Sequence, residues 1–243
     1  MKKYFFIGGI VFFVSMLVMM PANMVAKLLP NHIGAHQYHG NIWQGSAASL
    51  TVNKVNLGSV KWDVRPACFL LLKLCADITQ NHHSFTSSFL LKVRNSTELE
   101  NIIASGDVSV LNKMVSQYGI TLAGDFQADL AEVTFSDDRI KNINGDMRFS
   151  SLAVNGVLRV LLGDLNSTFE PQDEHTLIQI NNDQGHVDIS GIVQLFEDMT
   201  YDLDMQIRQN EQSTDAIKNG MQYIGDRQAD GSVRLQQNGK IAI

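Results

Sequence analysis

Residues 40–77 read GNIWQGSAASLTVNKVNLGSVKWDVRPACFLLLKLCAD. Both tryptophans of the chain, Trp43 and Trp62, lie in this stretch. Around the second, Val60, Trp62 and Val64 alternate with Lys61, Asp63 and Arg65. A period of two sends successive side chains to opposite faces, so the pattern predicts a half-buried strand. Pro66 ends it, because proline has no N–H to give to a ladder. Residues 66–72, which include the apolar run 68–72, suit a single helical turn with proline at its start. Gly40 and Gly45 flank Trp43, which lets backbone approach closely at a bend or bulge. Both tryptophans then read as a core nucleus, since buried aromatics dominate core energetics.

Upstream of this block lies a membrane signal. Lys2 and Lys3 precede a stretch, residues 4–20, that carries no charge and is interrupted only by Ser15 and the pair Gly8 and Gly9. With Pro21 and Ala22 it approaches the roughly 20 residues needed to cross a hydrocarbon core. A cleaved signal peptide would have a shorter apolar core and a small-x-small cleavage site. The candidate sites here place Met20 or Met24 at the outer position, which favours a retained anchor. The positive-inside rule leaves Lys2 and Lys3 in the cytoplasm and exports the rest. The expected organisation is a cytoplasmic start over 1–3, a transmembrane helix over 4–22, a linker over 23–35 and a periplasmic β-rich domain over 36–243.

Downstream, short alternating segments follow one another. Strands are expected at 36–43, 46–52, 55–65, 73–80, 85–94, 99–108, 120–135, 139–149, 157–169, 176–181, 186–195 and 199–208. The turns fall at Asn53 and Lys54, Asp137 and Asp138, and Asn155 and Gly156, with a bulge at Asn144 and Gly145. Residues 111–118 and 213–224 read as short helices stopped by Gly119 and Gly225. At the end, Asp230 and Gly231 make a turn, 233–235 a strand, Asn238 and Gly239 another turn, and 240–243 a closing strand. The fold class is therefore mainly β: a single N-terminal transmembrane helix, then an antiparallel, curved sheet or open barrel-like domain with a few short helices. The alternation implies one wet and one buried face.

The chain has 243 residues, 44% of them apolar, and a net charge of -6. That is enough apolar material for a core, and no basic cluster offers a nucleic-acid face. His32, His36 and His39 would share a face on a helix, but Pro30, Gly34 and Gly40 interrupt one. On a strand His36 and His39 point to opposite faces, and no cysteine or carboxylate lies near them, so no metal is expected. His82 and His83 read as a loop tip. Ser46 lacks the second glycine of a nucleophile elbow, and no Gly-rich loop is built to cradle phosphate. No enzyme activity, cofactor or small-molecule substrate is expected. Cys68 and Cys75 are too few for a disulfide scaffold and too far apart for a CxxC site. They either join the turn to the next strand in an oxidising compartment or stay reduced and buried, and their apolar surroundings lean to the second.

Gly40, Trp43, Gly45 and Ala47, followed by Leu57, Gly58, Val60, Trp62 and Pro66, together with the single apolar start, resemble the protein N family of bacterial type II secretion systems. The end of the chain is similar too: a helix before Gly225, then Asp230, Gly231, Leu235, Gly239 and Ile241, with Val233 where the family pattern has an aromatic residue. Residues 84–152 carry no motif of the family. The resemblance implies a non-enzymatic accessory inner-membrane component that acts in export of folded proteins from the periplasm. It implies contacts with other secretion subunits and the inner membrane, and it carries no catalytic residues over. Gly40, Trp43, Gly45, Leu57, Gly58, Val60, Trp62 and Pro66 are then structural or partner-binding positions, the latter through strand addition at an exposed edge along 42–57. The alternative reading of the same pattern is a membrane-anchored periplasmic lipid-handling module, in which an apolar sheet face shields acyl chains.

Overall fold

The computed structural model describes residues 2–27, 33–52, 55–136, 139–156, 159–221, 223 and 225–241. The expected turns at Asn53 and Lys54 and at Asp137 and Asp138, as well as Pro30 and His32, lie outside the described residues. The chain divides into two compact units, Met1–Arg94 and Asn95–Ile243.

In the first unit the apolar start forms helix α1, Lys2–Val18, 17 residues long. Pro21 explains why it stops short of the expected residue 22. Proline clashes with a helical conformation of the residue before it, and Met20 leaves the helix. At 1.5 Å per residue α1 spans roughly 26 Å, less than the ~30 Å of a hydrocarbon core. Among the described residues no helix is long and apolar enough to cross a membrane. A 3-10 turn, Ala22–Lys27, leads away from it.

Five strands follow: β1 (Ile33–Gly40), β2 (Gln44–Val52), β3 (Val55–Val64), β4 (Leu74–His82) and β5 (Phe85–Val93). Each is antiparallel to the next. The alternation that predicted β3 holds: Val60 is buried, Trp62 and Val64 half-buried, and Lys61 and Asp63 exposed. The 3-10 turn Pro66–Leu71 sits between β3 and β4 with proline at its start. Small side chains line the buried face. Ala47, opposite Val60, is almost fully buried, as is Ala76, opposite Val64, while Cys75 is buried on the other face.

The second unit contains β6 (Thr97–Asp107), β7 (Thr121–Ser136), β8 (Arg139–Asn155), β9 (Arg159–Pro171), β10 (His175–Asp183), β11 (Val187–Phe196), β12 (Thr200–Gln209), β13 (Asp226–Arg227) and β14 (Val233–Lys240). They lie in the order 6-7-8-9-10-11-12-14-13, all antiparallel. Between β6 and β7 the chain makes a helical excursion around α2 (Asn112–Val115). Asn112 pins it to β7 by donating to the Leu122 carbonyl and accepting from the Leu122 amide. Near Gly145 the register slips by one residue, as expected, but the extra residue is Ala131 on β7 rather than one on β8.

Helix α3, Asp215–Met221, starts where the Thr214 hydroxyl accepts from the Ile217 amide. Its apolar stripe, Ile217 and Met221, packs on Val187, Ile189 and Val233, with Val160, Leu162, Met205 and Ile207 around them. One sheet face is thus covered at that end. Farther along the same face, Ile102, Leu130, Phe169, Ile178, Val193 and Leu203 form a half-buried row through successive strand pairs.

One turn is corrected. Asn238 and Gly239 do not reverse the chain; β14 continues through them, opposite Asp202 and Tyr201. The glycine serves packing instead. The Tyr201 ring lies over it, and a Cβ there would come within 2.9 Å of Cε1 and Oη.

Candidate functional site

Of the motif residues, Gly40 and Trp43 lie at the end of α1. Gly40 ends β1 with φ +84°, and a Cβ there would meet the Gln44 carbonyl oxygen at 2.4 Å. This left-handed conformation, cheap for glycine alone, opens the tight connection 41–43. Asn41 Oδ1 accepts from the amides of Trp43 and Gln44 at 2.9 and 2.8 Å. Trp43 is thereby turned back toward the helix. Its indole N–H donates to the Leu17 carbonyl at 2.9 Å, one of the carbonyls that a helix C-terminus leaves without an intrahelical partner. The Ile42 amide donates to the Met20 carbonyl at 3.0 Å, and Pro21 bridges to Asn41.

Gly45 stands opposite Trp62 across β2 and β3. The Trp62 ring covers it, its indole N–H donates to the Ile42 carbonyl at 3.2 Å, and Tyr38 packs edge-on at 6.5 Å between centroids. Tyr38 Oη is buried without a hydrogen-bond partner among the described residues, and burial pushes its pKa up. The two tryptophans therefore play different parts. Trp62 packs within the sheet, whereas Trp43 ties the sheet to α1.

The remaining positions lie along β3. Leu57 gives its carbonyl to the buried Gln80 side chain at 2.7 Å. Gly58 marks a register slip against β2. Val60 fills the core, and Pro66 opens the turn that follows. That turn holds what residue spacing alone did not show. Cys68 and Cys75 form a disulfide with a Cα separation of 5.9 Å, which corrects the reduced reading. The strand and the turn bring the two residues within bonding range, and pairing across seven positions depends on that geometry. Arg65 and Asp77 add a bidentate ion pair, both contacts 2.6 Å, at the base of the same loop. Beyond it, Phe69, Leu70, Leu71 and Leu72 are exposed.

The histidines do not assemble. His36 and His39 sit on β1, and the His82 and His83 rings lie against each other, tilted by 46°, at the β4–β5 turn. Among the described residues no three His, Cys, Asp or Glu are placed to hold a metal ion. Around Trp43 the geometry is one of hydrogen bonds and ring packing that hold the sheet to the helix end.

A family model for the type II secretion system (T2SS), protein N, matches residues 31–236. The chain belongs to that family. The match begins after α1 and takes in both tryptophans, all five strands of the first unit and most of the second unit. The family is a component of the secretion machinery, which places the chain in type II secretion. Comparison with curated proteins and with solved structures finds no match.

In the second unit several carboxylates are held by hydrogen bonds. Arg234 donates to both oxygens of Asp204 on the neighbouring strand, a diagonal pair of the kind that stabilises sheets. The Arg234 guanidinium holds the Asp204 carboxyl below the usual range. Ser151 and then Arg148 do so for Asp164, Thr200 for Asp198 and Ser232 for Asp230. A carboxylate with a lowered folded pKa supplies stability that is present above its unfolded value, near ~3.9. That stability is lost as the pH falls through the folded value. The urea midpoint of the second unit is therefore expected to hold between pH 7 and 5 and to fall below about pH 4. Asp204→Asn should shrink the difference between the midpoints at pH 7 and pH 3. An unchanged difference would remove Asp204 from the cause.

Proposed function

We propose that the protein is a non-enzymatic accessory component of type II secretion, anchored in the bacterial inner membrane by α1, with both β units in the periplasm. It works through contacts with other secretion subunits. The observation that carries this reading is the Trp43–Leu17 bond. It supports a sheet held directly against the end of an apolar helix, which suits a subunit whose working surface stands beside the bilayer. Bilayers adjust to short helices at modest cost by local thinning, and Met19 and Met20 extend the apolar stretch.

The edge offered to a partner is β1. Strands β2 and β3, which contain most of 42–57, are paired on both sides, while β1 is paired with β2 alone among the described residues. Strand addition requires such an edge. A photo-crosslinking residue at His36 or His39, in cells assembling the secretion system, should capture another secretion subunit identifiable by mass spectrometry. Capture of lipid or self alone would sink the reading. The half-buried row from Ile102 to Leu203 favours the lipid-handling alternative. Stoichiometric lipid copurifying with the protein, and lost in Ile178→Asp, would support that alternative over subunit binding.

A further inference from the structure

Past Lys2 and Lys3, the described side chains of α1 are nearly all apolar and exposed around the helix, Phe6, Phe12, Phe13, Met16 and Val18 among them. A helix apolar on all sides needs apolar surroundings. Its last turn is gripped by Trp43, and the Phe69 ring stands edge-on to that indole at 5.8 Å and 88°. Phe69 therefore packs against the same indole that bonds to Leu17. The turn beyond it carries Leu70, Leu71 and Leu72 at 87%, 68% and 79% exposure. Three adjacent leucines in water are costly, yet this loop is built to hold them out. The Cys68–Cys75 disulfide and the Arg65–Asp77 pair close its base. Backbone bonds from the Cys68, Leu72 and Lys73 amides order its interior.

We propose that the loop closed by Cys68 and Cys75 is a second membrane contact, with Leu70, Leu71 and Leu72 seated in the lipid leaflet beside the end of α1. This rests on α1 being the anchor, as proposed above. Lipid is the occupant because the loop is tied through Trp43 to the apolar stretch itself and its tip offers only aliphatic side chains. Tryptophan, apolar with one polar N–H, suits the interface that this placement gives it. The depth is limited. An irregular loop exposes carbonyls that hydrocarbon cannot satisfy, and the Arg65–Asp77 pair must stay in the polar layer. The leucines therefore reach the upper acyl region and no farther. Two points of attachment fix the rotation of the first sheet relative to the bilayer, which a lone helix does not.

The protein has no free cysteine, so an introduced one carries a single label. Full-length Leu71→Cys and Leu70→Cys, labelled with an environment-sensitive fluorophore, are reconstituted in phosphatidylethanolamine–phosphatidylglycerol vesicles. Those vesicles contain lipid bearing a nitroxide near the headgroup or near the chain end. A label at Phe12→Cys reports the helix, and one at Gln127→Cys reports the exposed sheet. Labels at 70 and 71 are expected to be quenched about twofold more by the shallow nitroxide than by the deep one. They should also be shielded from aqueous iodide, whereas the label at 12 is quenched best by the deep probe. If 70 and 71 behave like 127 while 12 is quenched, the loop proposal is overturned and the anchor stands. If 12 is quenched by neither lipid, the anchor reading fails and the loop proposal falls with it.

Discussion

Gly163→Ala is expected to destabilise the second unit by about 3–4 kcal/mol, among the larger effects of a single substitution. Gly163 lies on β9 with φ +77°. There an L residue carries the penalty of the left-handed region, of order 1–2 kcal/mol. Space is the greater obstacle. An added Cβ would stand 2.0 Å from the Asp183 carbonyl oxygen and 2.6 Å from the Gly185 nitrogen. Both are backbone atoms, one at the end of β10 and one in the β10–β11 connection, and neither can swing away as a side chain would. That connection is held down from several sides. Asn182 donates to the Leu162 and Val187 carbonyls, and the His186 amide donates to the Leu161 carbonyl at 2.7 Å. Relieving the clash means lifting the connection and breaking these bonds next to Val187 and Ile189, which support α3. Thermal unfolding followed by circular dichroism should show a midpoint lower by roughly 10 °C. Gly220→Ala is the control. Gly220 lies in α3, where a Cβ meets nothing within 4 Å, so removing a helical glycine should stabilise by about 0.5–1 kcal/mol. Equal behaviour of the two variants would refute the steric account.

The strands were legible because alternation is a local property. A half-buried strand shows it whatever its partners, and β7, β11 and β12 follow it closely. Punctuation was less secure, because glycine serves both turns and close packing. Asn155 and Gly156 do end β8. Asn238 and Gly239 have the same turn chemistry but lie within β14, and the reason, the Tyr201 ring, comes from another strand. The Trp block was legible as a strand with a bend before it. Its purpose was not, since the partner of Trp43 is the Leu17 carbonyl, 26 residues away. A backbone acceptor leaves no mark on residue type. The disulfide was hidden for a similar reason. Seven residues separate Cys68 from Cys75, and only the reversal at Leu72, which adopts φ 56°, brings them together. The exposure of Leu70, Leu71 and Leu72 was hidden as well, because apolar residue type does not reveal which side of a loop faces water.

Gly45→Ala is the corresponding expectation for the first unit, a loss of about 2–3 kcal/mol. Backbone conformation is not the cause here; crowding is. A Cβ at Gly45 would approach Trp62 Cζ2 at 2.6 Å, and the Asn41 and His39 carbonyl oxygens at 2.8 Å each. The indole cannot simply slide off, because its N–H is bonded to the Ile42 carbonyl and Tyr38 lies against its edge. Displacing it disturbs the connection 41–43, and with it the Asn41 side-chain bonds that aim Trp43 at Leu17. A change at Gly45 should therefore be felt at α1. Since the chain has only two tryptophans, fluorescence of a Trp62→Phe background isolates Trp43. In that background Gly45→Ala should shift the Trp43 emission less than in the native one, because the smaller ring makes room. The double-mutant cycle then measures the contact. Coupling of about 1 kcal/mol is expected between Gly45→Ala and Trp62→Phe, with the remainder due to the two carbonyls, which no side-chain change relieves. Strict additivity would mean that the ring does not press on Gly45. The case for Gly45 as the seat of Trp62, and through it of the sheet-to-helix joint, would then fail.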